Sequence, residues 1–433
     1  MSTGVRTKAK PRIFYGWWIV TAGFAIVIYG ICTRDYMSNQ LPDLVKQLGG
    51  GASQMGMAMG ISGLAGSISL LAIGPLIDRF GPRKLMLLGI PLTGIGFLWL
   101  SFVNSILTFS ILQGTLVAIG MSAGFLLPVQ TATANWFMKR RSIALAVICM
   151  ASVLGEGLID ILGERIAGQF SWQSTFLGLG AVMLVIGIPL ALVIRHRPEQ
   201  YGYLPDGELS VTEETSEPMS EQYHHLTEIN FTLRQALKTR TFWTLTIAMA
   251  LTSGIGTIAT WYMVPFLIDQ GFSQATSVNV FNNTTLMGLM GIFLFGYLGD
   301  TFPKRYLLAI AVALQSASVV ILMTAGSIAQ VYLYMLVYGL GSGIVPLILA
   351  IRADYFGRKA FATITVVMMF ISGIIGSPVS ALMPVLVGWI FDITRNYQFA
   401  FLLSMLIGFV PATVFFFARP PKPPQQVFTP TKS

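Results

Sequence analysis

Long apolar runs separated by short polar segments dominate the pattern of this 433-residue chain. Each run reaches or exceeds the roughly 20 residues that an α-helix needs to cross the hydrocarbon core of a bilayer. Six runs precede a polar stretch and six follow it. The predicted spans are 14–37, 53–77, 85–104, 107–134, 142–164, 173–194, 241–268, 276–298, 306–326, 330–351, 361–388 and 398–418. The pattern predicts an all-α membrane protein with twelve transmembrane helices.

The two halves of the chain repeat one another. The loop Gly74 to Lys84, GPLIDRFGPRK, returns 222 residues later as GYLGDTFPKR, with the same glycine, leucine, acid and late basic pair. A second pair, GMSAGFLLP with ANWFMKRR and GLGSGIVP with ADYFGRK, places Pro128 and Pro346 in matching spans. A proline inside a helix removes one backbone hydrogen bond and permits a bend. The repeats therefore indicate a duplicated unit and two pseudo-symmetric bundles.

The spans and loops predict five regions along the chain. These are an N-terminal tail at 1–13, a six-helix bundle at 14–194, a linker at 195–240, a second bundle at 241–418 and a C-terminal tail at 419–433. Within the linker, FTLRQALKTRTFW at 231–243 predicts an amphipathic helix on the membrane surface.

The linker also holds eight of the eighteen acids and all three histidines. This composition favours a solvated loop. A metal site is the alternative, and its ligands would be Glu213, Glu214, Glu217, His224 and His225.

Composition excludes several classes of protein. Only 10% of the residues are charged and 54% are hydrophobic, whereas about 25% are charged in a soluble domain. There is no Walker-type glycine loop with its lysine, and no histidine outside the linker to pair with a serine or cysteine. Two cysteines indicate neither a disulfide framework nor a metal site. We expect no enzyme activity, no cofactor, no metal and no nucleic-acid partner.

The net charge of +9 is distributed unevenly among the loops. If the N-terminus is cytoplasmic, the cytoplasmic segments hold 23 Lys and Arg residues and the outer segments hold four. These four are Arg34, Lys46, Arg165 and Arg395. The positive-inside rule then predicts that both termini are cytoplasmic.

Few ionisable residues fall inside a span, and each carries an insertion cost. With the fifth helix taken as 142–164, Glu156 and Asp160 share one face, about 5 and 10 Å outward of its midpoint. Arg34 lies about 14 Å outward of the midpoint of the first helix, within side-chain reach of the depth of Asp160. Two nearby carboxylates suit proton binding.

Two structural alternatives remain open for these groups: a static ion pair of Arg34 with Asp35 or Asp160, and a protonated Glu156 that only bonds a neighbouring helix. Further candidates for a polar cavity lining, each as well explained by packing, are Tyr29, Gln130, Tyr262, Asn282, Asn283 and Tyr338.

The repeated loop resembles the signature that the major facilitator superfamily carries between helices 2 and 3 and again between helices 8 and 9. The segments YGWWIV (15–20), NWFMKRRSIALA (135–146), RPEQYGYLPDG (197–207) and GWIFD (388–392) resemble bacterial members related to monocarboxylate transporters and oxalate/formate antiporters. The resemblance implies a central cavity between two rocking bundles and a gate on the cytoplasmic side. The gate residues that it implies are Gly74, Asp78, Arg79, Gly81, Arg83, Asp300, Lys304 and Arg305. Arg352 and Asp354, at the inner end of helix 10, are expected in the same cytoplasmic charge network, with a role as ligands as the alternative.

The substrate is less well determined than the family. Relatives that carry carboxylates place an Arg in helix 8 or a Lys or Arg in helix 11, and this chain has neither. The first hypothesis is proton-coupled transport of a small organic anion such as a monocarboxylate. The alternatives are proton-coupled efflux of a cationic or amphipathic compound, and a transporter-like membrane sensor. We expect a monomer in the bacterial inner (plasma) membrane, with lipid, proton and an organic solute as partners.

Overall fold

A computed structural model describes residues 14–207, 229–394 and 396–423. Within these residues the chain forms twelve long helices and no strand. They are α1 (Tyr15–Gln47), α2 (Ala52–Phe80), α3 (Pro82–Leu100), α4 (Ile106–Trp136), α5 (Arg141–Gln169), α6 (Trp172–Val193), α7 (Arg240–Asp269), α8 (Gln274–Leu298), α9 (Lys304–Met323), α10 (Ile328–Phe356), α11 (Phe361–Thr394) and α12 (Gln398–Phe416).

Ten of these described helices are long and apolar enough to cross a membrane, and α7 and α12 are 30 and 19 residues long. Because their number is even, both ends of the described chain lie on one face, together with the α2–α3, α4–α5, α8–α9 and α10–α11 connections. We call this the terminal face and the other the opposite face.

Two helices are interrupted at positions that the internal repeat relates. In α4 the backbone leaves helical geometry at Phe125, with φ −121° and ψ −105°, three residues before Pro128. In α10 the helix breaks between Gly341 and Ile344, just before Pro346. A proline cannot donate to the carbonyl four residues earlier, so each break falls where a backbone hydrogen bond is lost.

Apolar side chains form separate cores in the two halves. Two clusters in the described residues draw on α1 to α6 and two on α7 to α12. Smaller clusters join the halves, one between α5 and α8 with α10, and one between α2 and α11. Gly296 permits the first contact, since a Cβ there would lie 2.4 Å from the Cβ of Ala146.

The helix α1 is longer than predicted. It continues to Gln47, whereas the apolar run ends at 37. Polar side chains do not end a helix whose backbone hydrogen bonds are satisfied internally, and apolar residues of this extension, including Leu41 and Leu44, pack in the core of the first half. Arg34 therefore lies about 4.5 Å from the middle of α1, rather than 14 Å.

The surface helix predicted for 231–243 is also different. Only Leu233–Leu237 forms a separate short helix, and α7 begins at Arg240. Thr232 caps the first and Thr239 the second, because each hydroxyl accepts a hydrogen bond from the backbone N–H three residues later. Phe231 packs edge to face on Phe356 with ring centroids 5.6 Å apart, so this apolar face contacts the protein core.

Candidate functional site

An ionisable cluster lies between α1 and α5. Arg34 Nε lies 2.7 Å from Asp35 Oδ1, and Arg34 Nη2 lies 3.6 Å from Glu156 Oε1. The side chains of Arg34 and Glu156 are 50% and 47% exposed. Gly155 lets the two helices approach, because a Cβ there would lie 2.9 Å from the Cβ of Ile31. The cluster is thus an accessible cation held tightly by one carboxylate and loosely by another.

Asp160 lies one turn beyond Glu156 and is exposed. It makes no ion pair with a described residue, so of the two alternative partners of Arg34 the structure shows Asp35 and not Asp160, and Glu156 is a further neighbour. The longer α1 explains the difference: Arg34 lies near the middle of that helix, as Glu156 does in α5.

A cavity of about 190 Å³ lies between α5, α7, α8 and α10. Val153, Met263, Phe281, Thr284 and Tyr338 are among its lining residues. The lining is largely apolar, with hydroxyl groups as its polar component. Such a composition suits a small amphipathic solute.

Tyr338 lines this cavity, whereas Asn282 and Asn283 are not among its lining residues. At about 100° per residue, the two asparagines are turned roughly 100° and 160° away from Phe281, which faces the cavity.

The remaining polar candidates connect helices or are buried. Tyr29 donates to the carbonyl of Leu179 at 2.5 Å and Tyr262 to that of Pro384 at 2.7 Å. Gln130 is 7% exposed.

Two acidic side chains on the terminal face connect the halves in the same way. Asp78 accepts hydrogen bonds from the backbone N–H groups of Ala362 and Thr363, at 3.1 and 2.8 Å. Asp300 accepts from those of Ser142 and Ile143, at 2.7 and 3.2 Å. Each carboxylate therefore occupies the N-terminal end of a helix in the other half, where the helix dipole favours negative charge.

Glycines position Asp78 near α11, and burial affects the acidity of Asp300. Gly74 brings α2 against α11, since a Cβ there would lie 3.3 Å from the carbonyl oxygen of Ala362. Gly81 ends the α2–α3 connection at φ +89°, a conformation that glycine adopts without strain. For Asp300, which lies outside the spans, burial raises the pKa, while its bonds to Ser142 and Ile143 act in the opposite direction.

Asp354 forms the centre of a charge cluster on the terminal face. Arg141 Nη1 lies 2.6 Å from one of its oxygens and Lys304 Nζ lies 2.7 Å from the other. Arg141 is 2% exposed and belongs to the first half, so this contact crosses between the halves. No pattern in the sequence singles out Arg141, although it lies in the cationic run at the start of α5.

The other predicted gate residues differ from one another. Arg352 is 2% exposed and its Nη2 contacts Met249 Sδ at 2.7 Å; no described carboxylate pairs with it. Arg352 is therefore not part of the charge cluster around Asp354, because its side chain points into the apolar core of the second half. The guanidinium of Arg79 lies over the ring of Phe80, and Arg305 Nη2 contacts the Tyr306 hydroxyl at 2.7 Å. Arg83 makes no ion pair with a described carboxylate.

The segment that follows α6 folds over the terminal face, which the sequence did not predict. Asp206 accepts from the backbone N–H groups of residues 138, 139 and 140, at 2.9, 2.8 and 3.2 Å. Glu199 pairs with Arg358 of the second half at 2.9 Å. Burial lowers the pKa of His196, which abuts Gly81, to about 4. The alternative metal site at 213–225 lies outside the described residues.

These features define a multi-pass membrane protein whose halves are bonded together at one face and hold an accessible ionisable cluster elsewhere. The chain belongs to the Major Facilitator Superfamily, whose sequence profile matches residues 19–380. The family is one of membrane transporters and not of enzymes, and the predicted twelve-helix membrane fold is confirmed.

Individual relatives agree with this assignment. The uncharacterized MFS-type transporter YcxA of Bacillus subtilis is 26% identical over 192 residues, which are 44% of this chain and 47% of that relative. Mouse monocarboxylate transporter 6 is 24% identical over 341 residues, 76% of this chain and 70% of that protein. The outward conformation of FucP, the E. coli fucose:proton symporter, superposes with a TM-score of 0.66 at 16% identity, over 94% of this chain and 99% of that one.

Proposed function

We propose that this protein couples the movement of a small organic anion, such as a monocarboxylate, to the movement of protons by alternating access. The observation that carries the proposal is the loose pair between Arg34 and Glu156, 3.6 Å apart and half exposed. A planar guanidinium presents donors in a fork that matches a carboxylate. The name of mouse monocarboxylate transporter 6 supports the same substrate class.

Coupling would follow from competition at Arg34. While Glu156 is ionised, it occupies part of the guanidinium and repels an incoming carboxylate. Protonation of Glu156 removes that negative charge, so Arg34 binds the anion only when the proton is also bound. The loaded site then carries no more net charge than the empty one, which lowers the cost of moving it through the membrane.

The terminal-face contacts support a conformation closed on that side. Asp78, Asp300 and Asp354 each bond to the other half, while Arg34 and Glu156 remain half exposed. We propose that transport breaks these contacts and opens a path from the central cavity to the terminal face.

The test is uptake into proteoliposomes. A panel of labelled monocarboxylates is supplied at a pH one unit lower outside than inside, and accumulation is compared with that at equal pH. Accumulation that depends on the pH gradient supports the proposal. Binding without uptake of any solute indicates a sensor and contradicts it.

A second candidate is proton-coupled efflux of a cationic or amphipathic compound. Arg34 is held by Asp35 at 2.7 Å, which leaves Glu156 and Asp160 as excess negative charge on one helix face. Export of a lipophilic cation from inverted vesicles, with no uptake of anions, would favour this candidate over the first.

The topology belongs to the same proposal. We infer a monomer in the bacterial inner (plasma) membrane with the terminal face cytoplasmic, and with bundles at 14–194 and 241–418 joined by the linker 195–240. The excess of Lys and Arg in the segments of that face supports this orientation.

A further inference from the structure

The outer surface of the second half carries an apolar groove between α9 and α12. The groove has a volume of about 460 Å³, and Ala309, Ile310, Ala313, Ala412 and Phe416 are among its lining residues. Ile310 and Phe416 are 50% and 48% exposed. Small side chains, Ala309 and Ala313 in α9 and Ala412 in α12, line the groove together with larger apolar ones.

The groove ends at the terminal face beneath an arginine. Tyr306 and Phe416 form this end, with ring centroids 5.1 Å apart. The Arg305 guanidinium lies 4.6 Å from the centre of the Tyr306 ring, and its Nη2 contacts the Tyr306 hydroxyl at 2.7 Å. Arg305 pairs with no described carboxylate, whereas neighbouring Lys304 pairs with Asp354. A cation without an ion pair to a described carboxylate therefore lies at the end of the apolar groove, although Asp354 lines the same cleft as Arg305.

A second cleft extends the positive charge along the same face. It has a volume of about 660 Å³ and is lined by Arg240, Arg419 and Lys422 together with uncharged residues. None of these three cations pairs with a described carboxylate. The chain that forms the cleft is held in place, because Thr241 Oγ1 donates to the carbonyl of Arg419 at 2.8 Å and the Tyr355 hydroxyl to that of Ala418 at 3.0 Å.

Aromatic residues mark the depth of this site in the membrane. Phe417 lines the cationic cleft, is 64% exposed and contacts Phe416, which lines the apolar groove, at 5.3 Å between ring centroids. Trp243 is 41% exposed near the start of α7. Trp and Tyr rings at helix ends lie at the level of lipid headgroups, and Tyr306 lines the end of the apolar groove. The cations therefore lie where a phosphate would be, and the groove extends toward the acyl chains.

We propose that this surface binds one anionic phospholipid, with an acyl chain in the α9–α12 groove and the phosphate against Arg305 and Arg419. Basic clefts next to transmembrane helices bind anionic headgroups in this way. The groove and the cations are both needed to select this ligand. A soluble phosphate needs no groove, and a zwitterionic lipid gains little from cations that have no carboxylate partner.

Native mass spectrometry of the detergent-solubilised full chain tests the proposal. Dioleoylphosphatidylglycerol should bind as one tight equivalent and dioleoylphosphatidylcholine more weakly. The double variant Arg305→Gln/Arg419→Gln should bind the anionic lipid about 30-fold more weakly. The control Lys84→Gln/Arg140→Gln removes two charges from the same face of the first half and should leave lipid binding unchanged.

A groove-filling variant separates the two possible sources of phosphate. Ala313→Trp should weaken the binding of phosphatidylglycerol and leave any binding of inorganic phosphate as it was. Equal binding of both lipids, or lipid binding unaffected by Ala313→Trp and displaced by inorganic phosphate, would overturn the proposal. Anionic lipid that binds only after removal of residues 208–228 would also overturn it, because the acidic linker would then be the native occupant.

Discussion

The carboxylate of Asp78 accepts two hydrogen bonds from Thr363, one from its backbone N–H at 2.8 Å and one from its hydroxyl at 2.5 Å. The two residues are 285 positions apart and belong to opposite halves. The contact places a negative charge at the start of α11, where the backbone N–H groups have no partner inside the helix. It bonds the two halves directly to each other on the terminal face.

Asp78→Asn should open this face. A carboxylate at a helix N-terminus contributes about 0.3–2 kcal/mol, so its loss shifts the balance of conformers severalfold. The native Cys149 in α5 reports opening of this face, since it is only 4% exposed and packs with residues of α10. In a Cys32→Ala background, the rate of labelling by N-ethylmaleimide should rise severalfold. The control is Asp43→Asn, which removes a carboxylate whose side chain is 69% exposed near the C-terminal end of α1, on the opposite face. An unchanged rate would contradict the role given to Asp78.

Glu156→Gln should abolish accumulation driven by a pH gradient and preserve exchange of solute. The amide cannot release a proton, so it holds Arg34 in a state that binds the anion without coupling. One pH unit supports up to about tenfold accumulation for one proton, and this should fall to equality. Asp160→Asn, one turn away and without an ion pair to a described residue, should retain accumulation. If Glu156→Gln accumulates solute normally, the proton binds elsewhere.

Arg34 distinguishes anion transport from cation transport. Arg34→Gln should weaken anion binding by about 1.5–3 kcal/mol, the typical contribution of a hydrogen bond to a charged group. Arg34→Lys should give a smaller loss, because it keeps the charge and loses the fork. Titration of each variant with the transported solute, by tryptophan fluorescence or calorimetry, measures both. If a solute binds both variants with the same affinity as it binds the parent protein, Arg34 does not hold that solute.

The two fully buried arginines should respond in opposite ways to substitution by Met. Arg352 has no described carboxylate partner, so Arg352→Met should stabilise the protein by about 1–4 kcal/mol, because it removes a desolvated charge. Arg141 pairs with Asp354 at 2.6 Å, and Arg141→Met should destabilise the protein by about 1–3 kcal/mol because it removes this partner. Thermal unfolding in detergent measures both. A lower midpoint for Arg352→Met would show that its guanidinium has a stabilising partner.

Stability should also depend on pH through His196. Its pKa is lowered by burial from 6.5 to about 4, so between these values the unfolded chain binds more protons than the folded one. Stability is then complete above pH 6.5 and decreases as the pH falls toward 4. After allowance for partial exposure, the loss is on the order of 1–2 kcal/mol. His196→Asn should flatten this part of the profile of unfolding temperature against pH. A slope that persists would assign it to another group.

Much of the fold could be predicted from the sequence because a bilayer restricts what a chain can do. Apolar runs must form helices, since unsatisfied backbone groups are too costly in hydrocarbon. The repeated loops and the paired prolines, Pro128 and Pro346, indicated a duplication, and both helices are interrupted just before the proline. The helix ends were less predictable, because Arg34 and its polar neighbours continue α1 well beyond its apolar run.

The partners of individual side chains depended on the tertiary structure. Helix periodicity placed Glu156 and Asp160 on one face, but only the close packing of α1 at Gly155 selected Glu156 as the neighbour of Arg34. Periodicity could not orient α8 either, and its asparagines turned out to face away from the cavity. Arg352 and Asp354 lie two residues apart, yet one is buried among apolar side chains and the other joins the two halves.

The sequence by itself determined the class of protein, the number of spans and the internal repeat, because hydrophobicity and its periodicity are local properties that a membrane enforces segment by segment. Only the tertiary structure decided at which face the halves are bonded together, which cations pair with a carboxylate and where Asp206 and Glu199 bind. Those outcomes depend on distances of a few ångströms between residues far apart in the chain. Such distances are set by how whole helices pack together, and no local pattern encodes them.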